Sequence, residues 1–456
     1  MRPKIDIFIL VVIGAVFLNS LVWIFSIPFN GAPDEYDHYR LAAFVAARNR
    51  IPVLPLDQDF YFSSIATRLP ITDELVAYHQ QSGMFQNIFL YELKPVYMMW
   101  PCGPHILMGM FLKFGHFFPG VPIFYFARFL SALCAVGIVL LVYDIAKKLR
   151  PDDRAFQKLS TIFVAFLPQF TFLSAYMNPD IITAFIATLI VRLWFYALDT
   201  RWSARAAIAL GAGLGCGILS KISGYSVIAA SILFLLFSLP RERRWRFLAI
   251  AGAVCLVASG WFFVRNAVLY GDLFGYAAYT QRLKEFLAQA PAFVVERDIF
   301  SFLNQAGYRW SVGYLLYFCY SSFWGVFGWM TIQLPRLLYI LSGGLLAAGI
   351  VGAGVGSAQK KIGFPGHTFP FLWLAIALEI VSIIAYVMMI KYQPQGRYLY
   401  PVIAPIAVIF SVGIIQFARP YLRAGVIVLA CSLFLIGLNI FSFLYCHAVR
   451  YFLPWA

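Results

Sequence analysis

The stretch GAPDEYDHYR, residues 31–40, gathers ionisable side chains directly after an apolar segment. Three carboxylates, one histidine and one arginine share seven positions: Asp34, Glu35, Asp37, His38 and Arg40. Proline followed by an acidic residue is a helix start signal, which predicts Asp34 as the N-cap. Asp34 and His38 then lie on one helix face, where a carboxylate can act as a general base. The alternative is a capping residue and a solvated acidic turn, which we favour for Asp37.

Other polar residues fall at the predicted outer ends of apolar segments. They are Asn178 and Asp180 in YMNPD, Lys221 in LSKISGY, Arg265 in WFFVRNAVLYGD, and Arg397 and Tyr398 in QGRYLYP. Ionisable groups near hydrocarbon are costly, so they are candidates for a functional site. Arginine binds phosphate with two hydrogen bonds and lysine binds it as a point charge. The pattern therefore predicts a site that combines a carboxylate base with phosphate-binding cations.

A metal centre is the less favoured alternative. Asp34 and His38 have the spacing of two metal ligands on a helix, but the sequence contains no HExxH motif. The remaining histidines are isolated in the sequence and are interpreted as packing or interfacial residues: His79, His105, His116, His367 and His447. We therefore predict no cofactor.

Composition indicates a membrane protein. Of the 456 residues, 62% are hydrophobic and 12% are charged, and that charged fraction is half the roughly 25% of soluble domains. The net charge of +15 could suggest nucleic-acid binding. However, no basic stripe with interleaved aromatic residues occurs, and lysines and arginines instead separate the apolar segments, as the positive-inside rule describes.

The apolar segments predict an all-α polytopic protein with about eleven spans. They cover 6–28, 119–146, 158–177, 180–199, 204–220, 222–240, 246–269, 336–357, 369–391, 399–418 and 423–447. Two further apolar stretches, 94–115 and 311–335, are interpreted as elements that lie on the membrane surface. Placing the N-terminus in the cytoplasm then leaves the basic connections inside. The outer segments become 29–118, with interfacial helices, and 270–335, within one domain of residues 1–456.

Several motifs, in this order, resemble the GT-C glycosyltransferases. The motifs are APDEYDHYR, YELKPVYMMW, ARFLSALCAVGIVLLVYDIAKKL, NPD and GLGCGILSKISG, and with the later stretches the resemblance covers roughly residues 5–405. This superfamily includes the lipid A aminoarabinose transferase and protein O-mannosyltransferases, and a bacterial polytopic subgroup is most similar. The resemblance implies that Asp34 is the catalytic aspartate and that Lys94 contacts the donor phosphate. It also implies that Asp180 is a second outer acid and that Lys221 is a lysine at an outer helix end.

These observations predict an inverting sugar transferase at the outer face of a bacterial inner membrane. Asp34 is the expected base, and Glu35 is assigned with it to the catalytic group. The expected substrate-binding residues are His38, Lys94, Asn178, Asp180, Lys221, Arg265, Arg397 and Tyr398. The expected partners are a polyprenyl-phosphate-linked sugar, membrane lipids and a glycan, lipid or protein acceptor, with no nucleic acid. A transporter or flippase of a lipid-linked saccharide is the main alternative. A structural membrane subunit would leave the clustered acids unexplained.

The predicted orientation can be tested by cysteine labelling. Because lysine and arginine concentrate in 147–158 and 241–246, a cysteine introduced at position 152 should resist an impermeant reagent in intact cells. Positions 34, 180 and 221 are expected on the external side. Labelling of position 152 from outside would contradict the orientation.

Overall fold

The computed structural model describes residues 6–53, 57, 101–278, 280–281, 308–359, 361–365, 368–389, 394–449 and 451. The helices are α1 (Ile7–Ser26), α2 (Glu35–Arg48), α3 (Gly103–Gly115), α4 (Phe124–Leu149), α5 (Arg154–Ala165), α6 (Pro168–Leu173), α7 (Pro179–Asp199), α8 (Ala204–Ile218), α9 (Tyr225–Ser238), α10 (Arg241–Tyr270), α11 (Tyr308–Trp324), α12 (Arg336–Ala358), α13 (Thr368–Met389), α14 (Ile403–Ala418) and α15 (Ala424–Ala448). Two 3₁₀ segments, Ile222–Gly224 and Gly396–Val402, precede α9 and α14. Strands β1 (Val326–Phe327) and β2 (Ile332–Gln333) form an antiparallel hairpin in which Val326 pairs with Gln333.

The helices confirm an all-α, multi-pass integral membrane protein. Within the described ranges, 8 helices are long and apolar enough to cross a membrane. They are α1, α4, α7, α10, α12, α13, α15 and the segment Gly396–Ala418. The apolar helices Ala204–Ile218 and Ile222–Ser238 are shorter. The total of about eleven spans therefore stays a prediction.

The predicted span 158–177 is not one continuous helix, which corrects that prediction. α5 ends at Ala165 and α6 begins at Pro168. Leu167 between them is extended, with a ψ of 120°, because a residue that precedes proline is disfavoured in the helical region. The run of apolar residues does not indicate this break, but Pro168 does.

The described part of stretch 94–115 and stretch 311–335, both interpreted as surface elements, contain short helices. α3, of 13 residues, is about 20 Å long at 1.5 Å per residue, less than the roughly 30 Å of a bilayer core. The other stretch contains α11 followed by the β1–β2 hairpin. The positions of segments 29–118 and 270–335 relative to the membrane stay predictions.

α2 and α3 run side by side in the same direction. His38 near the start of α2 contacts His105 near the start of α3, and Lys113 near the end of α3 donates to Asn49 just after α2. Between these contacts the backbones approach closely, since a Cβ on Gly109 would lie 2.8 Å from the Ala42 carbonyl oxygen. Both helices therefore begin at the same end of the molecule.

α12 and α14 pack against each other through small residues. A Cβ added to Gly413 would collide with the Gly349 carbonyl oxygen, and a Cβ added to Gly352 would collide with the Gly413 carbonyl oxygen. Such stripes of small residues let helix backbones approach closely in membranes, where van der Waals packing drives helix association. This contact fixes α14, and α14 continues directly from the segment that contains Arg397.

Candidate active site

Asp34 occupies the N-cap position of α2, as predicted, but its side chain makes no capping hydrogen bond. Its backbone is left-handed, with φ 61° and ψ 9°, a conformation that is uncommon for residues other than glycine. The carboxylate instead approaches Arg397, with 3.4 Å between Oδ2 and Nη2. The backbone conformation therefore directs Asp34 away from its own helix and towards another element of the bundle.

Arg397 connects two carboxylates. Besides Asp34, its Nε lies 3.5 Å from Oδ2 of Asp180 in the first turn of α7. Its Nη1 donates to the Tyr176 hydroxyl at 3.2 Å. The side chain is only 4% exposed, and a buried guanidinium needs counter-charges close by. Arg397 therefore holds the start of α2 and the start of α7 together.

Lys221 completes this group of charges. Its Nζ lies 2.6 Å from Oδ1 of Asp180 and 4.9 Å from the centre of the Tyr398 ring. We call Asp34, Asp180, Lys221 and Arg397 the charge cluster. Its two acids and two bases give no net formal charge. The four residues come from different predicted outer ends of apolar segments, and the structure brings them together. Asp34 and Lys221, with side chains 17% and 26% exposed, are the more open members.

α11 and the 3₁₀ segment Gly396–Val402 position Arg397. The backbone N–H of Gly396 donates to the Ser322 hydroxyl at 2.7 Å. A Cβ on Gly396 would collide with the Cys319 carbonyl oxygen and the Phe323 nitrogen. Glycine is therefore required where QGRYLYP crosses α11, and this contact sets the direction of the arginine that follows it.

Glu35 has a structural environment, so we revise its assignment to the catalytic group. It is fully buried and forms an ion pair with fully buried Arg128, with 2.7 Å between Oε1 and Nε. Its two oxygens also accept the backbone N–H groups of Met177 and Asn30. Arg128 additionally donates to the carbonyl of Pro28 and to two carbonyls at the end of α1. The pair fixes the loop that leads to Asp34 and presents no atom to a substrate.

Asn178 is likewise a structural residue rather than a substrate-binding one. It is the N-cap of α7, and its side-chain oxygen accepts the Ile181 N–H at 3.0 Å. Its amide donates to the carbonyls of Leu173 and Tyr176. The side chain is fully buried. Asn178 therefore orients the first turn of α7, in which Asp180 lies.

His38 forms a pair that the sequence did not reveal. Its Nδ1 lies 3.0 Å from Nε2 of His105, which we interpreted as an isolated packing residue. Burial and the charge of Lys221 lower the pKa of His105 to about 3. Burial, His105 and the nearby cations hold the pKa of His38 well below its usual value, although Asp34 acts in the opposite direction. Both rings are therefore neutral. The distance of 67 residues between them left no spacing signal to find.

Arg265 lies in a groove beside the charge cluster rather than in it. A cavity of about 450 Å³ is lined by Val45, Asn49, Arg50, Ile51, Val53, Ile106, Trp261 and Arg265. The guanidinium donates to the Pro52 carbonyl at 2.7 Å and to the Asn266 side chain at 3.0 Å. Among the described residues it has no carboxylate partner. His105 and Ile106 are neighbours at the start of α3, so the histidine pair adjoins the groove there.

Lys94, which the resemblance assigns to the donor phosphate, lies outside the described residues. Among the described residues, no group of three or more His, Cys, Asp or Glu side chains could hold a metal ion. The prediction that the protein uses no cofactor remains untested.

Residues 107–262 match the family of dolichyl-phosphate-mannose-protein mannosyltransferases. The solved structure of ArnT from Cupriavidus metallidurans in the apo state has a TM-score of 0.50 at 15% identity, with 98% of this chain and 75% of ArnT covered. Archaeal oligosaccharyltransferase AglB from Archaeoglobus fulgidus, solved with an inhibitory peptide and a dolichol-phosphate, has a TM-score of 0.54 at 15% identity, with 96% of this chain and 55% of AglB covered. No curated protein sequence matches the chain.

These comparisons confirm the predicted class, a membrane glycosyltransferase of the GT-C type. The structural similarity establishes the fold across nearly the whole chain. The family match, which covers about a third of the chain and includes Asp180 and Lys221, supports the enzyme class.

The revised role of Glu35 gives a stability prediction. Glu35→Gln should lower the unfolding temperature of the detergent-solubilised protein, because buried Arg128 loses its counter-charge, a loss of about 3–5 kcal/mol. Asp37→Asn on the same helix turn is the matched control and should unfold like the wild type. Adding Arg128→Met to Glu35→Gln should recover part of the loss. A Glu35→Gln variant of wild-type stability that transfers no sugar would return Glu35 to the catalytic group.

Proposed function

We propose that this chain transfers a sugar from a polyprenyl-phosphate-linked donor to an acceptor hydroxyl at the outer face of a bacterial inner membrane. The observation that carries the proposal is the contact of Asp34 with buried Arg397 at one end of the helix bundle. The partial family match supports a polyprenyl-phosphate-linked donor, since that family is described by dolichyl-phosphate-mannose. AglB, which shares the fold, was solved with a dolichol-phosphate.

Asp34 has the properties of a general base for this reaction. A cation near a carboxylate favours its ionised, proton-accepting form, and Arg397 lies 3.4 Å away. The side chain is 17% exposed, so an acceptor hydroxyl can reach it. Asp34 takes the hydroxyl proton while the acceptor oxygen bonds to the anomeric carbon and the bond from that carbon to the phosphate oxygen breaks. A single displacement of this kind inverts the anomeric configuration.

We assign binding of the departing phosphate to Arg265. The resemblance implies Lys94 as a second residue that contacts this phosphate. The sequence suggested Arg397 for this role as well, but the charges of Arg397 and Lys221 are balanced by Asp34 and Asp180. Arg265 retains donors beyond its two hydrogen bonds to Pro52 and Asn266, since a guanidinium has five. Cations aimed at the charge that develops on a leaving group usually contribute strongly to catalysis.

The groove suits the lipid end of such a donor. Its lining is mainly apolar, through Val45, Ile51, Val53, Ile106 and Trp261. α10 also exposes large apolar side chains along its length, including Val257, Val264 and Val268, as expected of a helix that faces lipid. A polyprenyl chain could therefore remain among lipids while its phosphate contacts Arg265.

The remaining polar residues support Asp34 rather than contact the donor. Asp180 is 3% exposed and is engaged by Lys221 and Arg397. Tyr398 is 6% exposed, with its ring facing Lys221. We therefore assign both to holding the cations in place. The acceptor is proposed as a hydroxyl of a glycan, a lipid or a protein, and no step is assigned to a metal.

Asp34→Asn tests the base. Asparagine tolerates the left-handed conformation of position 34, and Arg397 keeps Asp180 as a counter-charge, so the variant should fold and bind polyprenyl phosphate like the wild type. Sugar transfer should fall by about two to four orders of magnitude, the usual contribution of a positioned base. The assay uses the lipid-linked sugar that accumulates in cells lacking the protein, with membranes of those cells as acceptor. Asp37→Asn is the control. Wild-type transfer by Asp34→Asn would move the transporter alternative ahead.

Arg265→Gln tests the phosphate site. Removing this charge should weaken binding of polyprenyl phosphate by about tenfold or more, because a hydrogen bond to a charged group contributes roughly 1.5–3 kcal/mol. Arg336→Gln, which removes an exposed charge at the start of α12, is the matched control and should bind normally. Equal affinity in Arg265→Gln and the wild type would exclude Arg265 as the phosphate-binding group.

A further inference from the structure

The His38–His105 pair lies between the two halves of the proposed site. His38 is four residues after Asp34, and its backbone N–H donates to the Asp34 carbonyl at 3.0 Å. His105 immediately precedes Ile106, which lines the groove together with Arg265. The hydrogen bond between the rings, 3.0 Å long, therefore connects the turn that holds the proposed base to the helix that borders the proposed phosphate site.

The surroundings of the two rings determine the kind of hydrogen bond between them. Each histidine is only 4% exposed, and the charges of Lys221 and Arg397 lower the pKa of His38 while that of Lys221 also lowers the pKa of His105. Two cations oppose a third positive charge there, although Asp34 favours one. Both rings are then neutral, so one ring nitrogen donates and the other accepts. A neutral bond of this kind fixes distance and orientation without altering the balance of the charge cluster.

We propose that His38 and His105 are positioning residues that set the distance between Asp34 and the donor phosphate beside Arg265. This inference rests on the proposed function and adds residues to the same site. Asp34 is the N-cap of α2, Arg265 belongs to α10, and residues of α2, α3 and α10 line the groove. A shift of α2 along α3 would move the base relative to the anomeric carbon, and a displacement of about 1 Å can reduce a rate by about a hundredfold.

The other contacts between α2 and α3 do not replace the pair. Gly109 packs closely on the Ala42 carbonyl, which sets how near the helices approach. Lys113 donates to Asn49 at the far end, and that contact is exposed. The histidine pair is a buried polar contact between α2 and α3, and it lies one helical turn from Asp34.

The test uses the full-length protein in detergent and separates turnover from donor binding. His105→Phe keeps a planar ring but removes the nitrogen that faces His38. We expect its kcat for sugar transfer to fall by about 10- to 100-fold, while its Kd for polyprenyl phosphate changes by less than about threefold. His105→Gln, whose amide can still bond to His38, should recover most of the rate. Lys113→Met, which removes the distant contact between the same helices, should leave kcat unchanged.

The outcomes distinguish this inference from a merely structural role and from a wrong function. Equal losses of kcat, donor affinity and thermal stability in His105→Phe would reduce the pair to a stabilising contact and overturn the inference. An unchanged kcat in His105→Phe would overturn it as well. A wild-type protein that binds polyprenyl phosphate but transfers no sugar would contradict the proposed function itself, and that result appears without any variant.

Discussion

The contact of Arg397 with Asp34 and Asp180 is the interaction on which the site depends. A guanidinium that is 4% exposed is stable only with counter-charges at hand, and the two carboxylates come from the starts of α2 and α7. The same contact places a positive charge beside the Asp34 carboxylate. The glycine before Arg397, the hydroxyl of Ser322 and the close packing of α12 on α14 all serve to hold this one side chain in place.

Charge balance then separates the site into two parts. Two acids and two bases neutralise each other in the charge cluster, whereas Arg265 has no carboxylate partner among the described residues. For this reason we propose the groove, rather than Arg397, as the site of the lipid phosphate. The neutral histidine pair joins the two parts without adding charge. In the proposed function, the carboxylate of one part acts as the base and the cation of the other binds the leaving phosphate.

Local sequence pattern was sufficient to predict the features that depend on single segments. Apolar length and basic connections predicted the spans, and the convergence of Asp34, Asp180, Lys221 and Arg397 followed from their helix ends. It failed where the outcome depends on contacts between distant segments. Asp34 and Glu35 are adjacent acids at the start of one helix, and local sequence does not tell their roles apart. The difference is that Glu35 pairs with buried Arg128, which lies 93 residues further along the chain. Packing of α3 likewise determines two further features. These are the contact of His38 with His105 and the position of Arg265 in a separate groove.

The most direct test of this account is an experimental structure of Asp34→Asn with the intact lipid-linked sugar bound, since this variant should bind the donor without consuming it. We predict that the donor phosphate lies against Arg265 and that the anomeric carbon lies near residue 34. The space between them should admit an acceptor oxygen at about 3–3.5 Å from the carbon. A donor phosphate bound elsewhere, with its anomeric carbon beyond the reach of any hydroxyl held by residue 34, would contradict it.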